Sequence, residues 1–239
     1  IGKKAGVVSG CALLVDYMLT ITVSVAACGD ALFSFVPIQY HGFKLSFDVL
    51  LIILLVILNL RGVKESISVL APIFFTFVLT HALLIGYGFT THTPEVLPLL
   101  NEVRGNLGKD LASVGFIGMM AIFLRAFSLG GGTYTGIEAV SNGLPILREP
   151  RVRTGKRTMR YMAISLAATV AGLLLSYLLF HVQPVQGKTL NAVLFEQVTR
   201  DWSPNLGFTF VLVTLASEAA LLFVAAQAGF IDGPRVLAS

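Results

Sequence analysis

An aspartate, Asp16, lies near the middle of the apolar stretch 7–32, which is long enough to cross a lipid bilayer. A charge in hydrocarbon costs roughly 2.5–3.5 kcal/mol on insertion scales, so such residues usually serve an ion pathway, a proton relay or a ligand. Tyr17, Thr20 and Ser24 lie at about 100°, 40° and 80° from Asp16 around the same helix. These four oxygen-bearing side chains predict one wall of a small-cation or polar-solute site inside a membrane bundle, without a resident metal.

A second set of candidate residues combines glycines with hydroxyl side chains inside the apolar stretch 114–147. The set is Gly130, Gly131, Gly132, Thr133, Thr135 and Gly136. Each glycine costs about 1 kcal/mol in a helix interior, and unwound backbone at membrane depth survives only where it is buried in protein or lines a cavity. Transporters bind ions and substrates at such breaks. We therefore predict two half-helices around a binding site, with a close helix crossing at small residues as the alternative.

Two further carboxylates are candidates for a proton relay or a gate. Glu138 lies three residues beyond Thr135, at the predicted start of the inner half-helix, where the helix dipole also favours a carboxylate for purely structural reasons. Glu218 lies midway along the last apolar stretch, where it either carries protons or pairs with a neighbouring helix.

The composition places the chain among integral membrane proteins. Its 239 residues are 55% hydrophobic and 13% charged, whereas soluble domains carry about 25% charged residues. The net charge of +4 does not indicate a nucleic-acid partner, because the basic residues lie between apolar stretches. Nucleophile-elbow, zinc-helix and phosphate-loop motifs are missing from the sequence, which predicts a protein that is not an enzyme and needs no cofactor beyond a coupling ion, H⁺ or Na⁺.

The apolar stretches predict one transmembrane domain over residues 1–239. Six spans are expected, at 7–32, 47–60, 67–89, 114–147 (interrupted), 160–182 and 206–231. The second is short and must borrow flanking residues or cross where the bilayer is thin. Eleven Lys and Arg residues fall on one side of these spans and five on the other, with Arg125 inside the fourth span. The positive-inside rule then puts both ends of the segment in the cytoplasm of a plasma (bacterial inner) membrane. Apolar residues at helical spacing over 188–199 predict a short helix at the outer mouth.

Three segments resemble the amino acid–polyamine–organocation (APC) permease superfamily, and most closely its KimA-type potassium importers. The segments are 14–20, 58–66 and 135–142. The resemblance implies an all-α, LeuT-like inverted-repeat fold in which the six spans are helices three to eight and the broken span is the sixth. It also implies that Asp16, Tyr17, Thr20 and Ser24 line the potassium site, together with Thr135 or Thr133. Helices one, two and those from the ninth onward would be missing, so this segment alone should not transport.

The combined reading is a secondary-active transporter for uptake of a small solute, with proton-coupled potassium import as the first hypothesis. A cation-coupled amino acid permease is the alternative, and a non-transporting membrane scaffold is a remote one. The expected partners are the lipid bilayer and the solute, K⁺ or an amino acid. A second copy of the chain, forming a homodimer, is a further candidate partner.

Overall fold

The computed structural model describes residues 2–62, 67–130, 140 and 147–238, and within these ranges the chain is helical with no strand. A 3-10 segment, Ile38–Phe43, precedes the second helix. The helices are α1 (Lys3–Phe33), α2 (Lys44–Leu60), α3 (Ile67–Thr91), α4 (Thr93–Gly130), α5 (Arg151–Leu179), α6 (Leu190–Val198) and α7 (Pro204–Ala238). The all-α fold class predicted from the sequence is confirmed.

Over the described ranges, six helical stretches are long and apolar enough to cross a membrane, as the sequence predicts. They are Gly6–Phe33, Ile38–Leu60, Ser68–Thr91, Thr93–Gly130, Arg151–Leu179 and Pro204–Ile231. The short second span gains its missing length from the 3-10 segment in front of α2, which brings it to 23 residues. That length suffices for a bilayer core about 30 Å thick. The short helix predicted over 188–199 is present as α6.

The fourth helix begins earlier than its apolar stretch. α4 begins at Thr93 and runs to Gly130, and it is interrupted at Gly115, whose φ of 72° and ψ of 170° are not helical. A positive φ of this kind is accessible to glycine because glycine has no Cβ. The predicted break further along is only partly described. Gly130 is the last residue of α4, and Gly131, Gly132, Thr133, Thr135, Gly136 and Glu138 lie outside the described residues.

The described helices group into two compact units. The first comprises Ile1–Leu84 and Val182–Ser239, and its core forms where α1 packs along α7 with α2 beside both. Two clusters of small and branched side chains fill this core. Their buried members are Val25, Leu55 and Ala226 in one cluster, and Cys28, Ala31 and Ala219 in the other. Small side chains let membrane helices approach closely, and packing rather than hydrophobicity then holds them together.

The second unit comprises Ile85–His181 and depends on similar close approaches. A Cβ on Gly172 of α5 would lie 2.8 Å from Cδ1 of Ile85, and one on Gly88 would lie 3.0 Å from Cε2 of Phe180. Large apolar side chains remain exposed along α4, including Phe123 and Phe127. In a bilayer such side chains contact acyl chains, so their exposure is the expected state of a membrane helix.

Candidate functional site

The oxygen-bearing face of α1 is present but is not uniformly buried. Tyr17 and Ser24 are buried, at 4% and 9% exposure, whereas Asp16 and Thr20 are half-buried. The nearby hydroxyl of Thr22 is exposed and donates to the carbonyls of Met18 and Leu19 in its own helix, at 3.0 and 3.1 Å. Asp16 therefore lies at the margin of the packed face of α1, with Tyr17 and Ser24 inside that face.

Close packing of α1 against α7 decides which part of α1 is buried. A Cβ on Gly229 of α7 would lie 2.8 Å from Cγ1 of Ile21 and 3.1 Å from the backbone oxygen of Tyr17. Gly229 therefore allows the two backbones to approach at the level of the candidate site. This close approach fixes Tyr17 at the helix interface and leaves Asp16, one residue earlier, at its edge.

The other predicted wall of the site is not described by the structure. Gly130 ends α4 in the second unit. Its partners in the predicted break, Gly131 to Gly136, and the carboxylate Glu138 lie outside the described residues. The pairing of the Asp16 face with that glycine-rich segment stays a prediction.

Glu218 of α7 pairs with a neighbouring helix, one of the two roles expected for it. Its Oε1 accepts a hydrogen bond of 2.9 Å from Nδ2 of Asn191 in α6. Its Oε2 is buried and has no hydrogen-bond partner within the described part of the chain. A buried polar atom without a partner costs free energy unless a proton, an ion or water satisfies it. This oxygen is therefore a chemically available position inside the first unit.

The short helix α6 is packed into the first unit rather than lying loosely on its surface. Five of its nine residues are buried, namely Ala192, Val193, Leu194, Phe195 and Val198. Thr189 caps its start, because its side chain accepts a hydrogen bond of 3.1 Å from the backbone N–H of Ala192. The backbone N–H of Thr189 donates in turn to Oγ of Ser34, at 3.1 Å.

Side chains from α3 and the preceding loop hold α6 further. The ring of Phe195 meets His81 of α3 edge-on, with centroids 5.3 Å apart. Nδ1–H of His81 donates to the carbonyl of Phe77 at 2.8 Å, so this histidine is a hydrogen-bonded packing residue. Nζ of Lys188 lies 2.6 Å from Oε1 of Glu196. Together with the Glu218 pair, these contacts anchor α6 on α1, α3 and α7.

A charged cluster joins the end of α1 to the start of α2. Nζ of Lys44 lies 3.0 Å from Oδ1 of Asp30 and donates to Oδ2 of Asp48 at 3.1 Å. Asp48 is 9% exposed, and its Oδ1 has no hydrogen-bond partner among the described residues. This oxygen lies so close to Gly29 of α1 that a Cβ there would overlap it. Lys44 is thus a built-in cation between two carboxylates.

Two cavities share His41, Gly187 and Lys188 in their linings, and the smaller one also reaches Asp30 of this cluster. The larger has a volume of about 650 Å³, and its charged and aromatic lining includes His41, Lys188, Glu196, Arg200, Trp202 and Phe208. The smaller, of about 260 Å³, is lined by Asp30, Phe33, His41, Gly187, Lys188 and Thr189. Both belong to the first unit. They form a polar vestibule at the end of the unit where α1 stops and α6 begins.

The charged cluster is not among the sites predicted from the sequence. The spacing of Lys44 and Asp48, four residues apart on one helix, is the signal that could have linked those two. The approach of Asp30 depends on the packing of α1 against α2, and no spacing in the sequence carries that information.

Comparison with known proteins agrees with the all-α membrane fold. Residues 1–232 match the family model described as amino acid permease. The chain is also 32% identical, over 237 residues, to the potassium transporter KimA of Bacillus subtilis (strain 168). This alignment covers 99% of the chain and 37% of the relative, so the chain spans little more than a third of that protein's length. The chain belongs to the amino acid permease family of the APC superfamily and is a multi-pass integral membrane protein with a KimA-like sequence.

Proposed function

We propose that the protein containing this chain imports potassium by secondary-active, proton-coupled transport. The observation that carries the proposal is the face of α1 on which Asp16 and Thr20 flank the buried Tyr17 and Ser24. The similarity to a protein named as a potassium transporter supports it. The segment supplies one wall of the site, with Asp16, Tyr17, Thr20 and Ser24 as ligands. Gly130 to Gly136, including Thr133 and Thr135, would supply the other.

The chemistry of the α1 face suits a weakly hydrated monovalent cation. A potassium ion that leaves water needs oxygen ligands to replace its hydration shell, and carbonyl, hydroxyl and carboxylate oxygens serve this purpose in channels and transporters. The ionised carboxylate of Asp16 offsets the charge of the ion, while hydroxyls add ligands without extra charge. The half-buried position of Asp16 keeps that carboxylate within reach of a solvated ion, and rocking of helix groups around the site would give alternating access.

The proposed proton carrier is Glu218, with Glu138 as a second candidate. Oε2 of Glu218 is buried without a hydrogen-bond partner in the described ranges, while Oε1 is held by Asn191. A proton on Oε2 would leave that hydrogen bond intact. The bond would, however, be weaker with a neutral carboxyl than with a carboxylate. Because Asn191 belongs to α6, proton exchange at Glu218 would change how firmly this helix is held.

The decisive experiment is potassium uptake by an Asp16→Asn variant in a potassium-deficient host. Losing a charged ligand costs on the order of 1.5–3 kcal/mol, and each 1.4 kcal/mol is a factor of ten, so uptake should fall at least about tenfold. Membrane insertion should be unchanged, because asparagine keeps the side-chain shape. Acidification of the host during uptake by the unsubstituted protein would support proton coupling.

A matched pair of threonines on α1 controls for general damage to the helix. Thr20→Val removes a proposed ligand hydroxyl, whereas Thr22→Val removes an exposed hydroxyl that bonds only within its own helix. We expect reduced uptake from the first variant and unchanged uptake from the second. Growth rescue by Asp16→Asn that equals the unsubstituted protein would refute the cation assignment.

Amino acid transport is the second candidate, and the larger cavity is the observation that favours it. A cavity of about 650 Å³ that is lined by Arg200 and by the Lys188–Glu196 ion pair could hold a zwitterion. Uptake of a labelled amino acid that unlabelled amino acids inhibit, without any dependence on Asp16, would support this alternative over potassium import.

A further inference from the structure

The first part of α4, residues 93–114, is a helix that cannot itself cross the membrane. It ends at the non-helical Gly115, and it is roughly 22 residues and about 33 Å long. It carries five charged side chains: Glu95, Glu102, Arg104, Lys109 and Asp110. Charges in this number are too costly for the hydrocarbon core, where each costs roughly 2.5–3.5 kcal/mol. The 93–114 helix therefore lies outside the core of the bilayer.

This helix nevertheless carries a narrow apolar stripe. The stripe consists of Val96, Leu100, Val103, Leu107, Leu111 and Val114. At 100° per residue these six side chains fall within an arc of about 80°. The five from Leu100 onward are 42–55% exposed. An apolar stripe of this length, left uncovered by the described residues, indicates a surface that meets an apolar environment.

The first turns of the helix face protein on a side away from the stripe. A small cavity of about 180 Å³ lies between the first turns of the 93–114 helix and the end of α5, and it is lined by Glu95, Pro98, Leu99, Glu102, Leu179 and His181. Glu95 and Glu102 lie about 120–140° around the helix from the centre of the stripe. The helix thus turns acidic side chains toward α5 and its apolar stripe away from it.

Chain continuity places both ends of the helix at one surface of the bilayer. The membrane-crossing helix α3 ends at Thr91, two residues before α4 begins, and the apolar part of α4 starts directly after Gly115. We propose that the 93–114 helix is an interfacial helix that lies along the membrane surface with its apolar stripe in lipid. Helices of this type bury their apolar face about 5–10 Å into the boundary between headgroups and acyl chains.

The spacing of the stripe favours lipid over a second copy of the chain. From Val96 to Val114 the stripe advances 18 residues in five steps, which is about 3.6 residues per step. That period keeps the stripe straight along one helix face, which suits contact with a flat surface. A coiled-coil partner instead requires an apolar repeat of about 3.5 residues per step. The helix has three acidic and two basic side chains, so apolar burial rather than attraction to anionic lipid must hold it.

The test uses tryptophan fluorescence in the full chain reconstituted into phosphatidylcholine vesicles. The sequence has one tryptophan, so Trp202→Phe gives a background free of tryptophan. Into it we place Leu107→Trp on the stripe and Asn101→Trp at an exposed position about 120° around the helix from the centre of the stripe. We expect blue-shifted emission from Leu107→Trp. Its fluorescence should be quenched when the acyl chains carry bromine, and bromines near the headgroups should quench it more than bromines near the bilayer centre. Asn101→Trp should be quenched by aqueous iodide and not by brominated lipid.

Two results would overturn the proposal. Iodide quenching of Leu107→Trp equal to that of Asn101→Trp would show that the stripe lies in water. Blue-shifted emission that brominated lipid leaves unchanged would show that protein, such as a second copy, covers it. Leu111→Trp probes the same stripe independently, so a folding defect in one variant does not remove the test.

Discussion

Three carboxylates in or near the membrane-spanning helices of the first unit are stabilised in three different ways. Asp16 lies half-buried at the edge of a helix interface. Glu218 is held through one oxygen by the amide of Asn191. Asp48 is buried and shares the ammonium of Lys44 with Asp30. Burial without a partner costs a carboxylate free energy. The group that compensates each of these carboxylates therefore indicates what that carboxylate does.

At the residue scale, Lys44→Met should destabilise the protein more than Asp30→Asn does. Methionine keeps the length of the side chain but leaves the buried carboxylate of Asp48 without its cation, which costs about 1–3 kcal/mol. The side chain of Asp30 is 56% exposed, so its pairing contributes at most about 1 kcal/mol. Thermal unfolding in detergent, followed by circular dichroism, measures both. Equal midpoints for the two variants would contradict this account.

At the scale of elements, the packing of α1 against α7 positions the candidate site. Their core consists of small side chains, among them Ala219 and Ala226 of α7 and Ala31 of α1. Gly229 brings the backbones closest beside Tyr17. Since close backbone approach depends on the absence of side-chain atoms, this crossing is sensitive to added volume.

Gly229→Leu should therefore destabilise the first unit, and Gly233→Leu on the same helix is its matched control. A Cβ at position 229 would already be 2.8 Å from Ile21, whereas one at position 233 meets nothing within 4 Å. Overpacking of this kind costs about 1–3 kcal/mol. We expect a lower unfolding midpoint and reduced uptake for Gly229→Leu, with Gly233→Leu close to the unsubstituted protein. Leucine favours a helix more than glycine does, so propensity alone should not lower the midpoint of either variant. A similar loss in both variants would contradict the packing account.

Element packing also gives α6 a role beyond that of a connecting loop. Its contacts reach α1 through Ser34, α3 through His81 and α7 through Glu218. A change at any of these positions would move the helix that borders the vestibule. This arrangement links the proposed proton carrier to the vestibule by direct contact.

At the scale of the whole molecule, the distribution of basic residues predicts the orientation in the membrane. With Cys11 and Cys28 replaced by serine and alanine, Gln186→Cys should react with a membrane-impermeant maleimide in intact cells. Lys156→Cys should react only after the cells are permeabilised. Gln186 and Lys156 are both exposed in the structure, so only the membrane should separate their reactivities. The reverse pattern would place both ends of the segment outside.

The first unit combines the beginning and the end of the segment, α1 and α7, while the middle forms the second unit. The α1 face, Glu218 and the vestibule all belong to the first unit. Activity, solute and coupling belong to the protein that contains this chain. The chain matches 37% of the length of the potassium transporter KimA.

The sequence by itself determined the membrane class, the number of spans and the oxygen-bearing face of α1. These features depend on local composition and on helical periodicity, which a single segment carries. The same reasoning predicted the short helix α6, since apolar residues at helical spacing mark a buried face. It placed the start of the fourth helix too late, because the charged residues of 93–114 conceal an amphipathic helix from a search for continuous apolar stretches.

Only the tertiary structure decided which side chains meet. The Asp30–Lys44–Asp48 cluster, the Asn191–Glu218 hydrogen bond and the close approach at Gly229 each join residues from different helices. The composition of one helix cannot specify its neighbour, because nearly all membrane helices present similar apolar faces and small differences in shape select the partner. For the same reason the burial of Tyr17 and the marginal position of Asp16 became evident only when α7 was in place against α1.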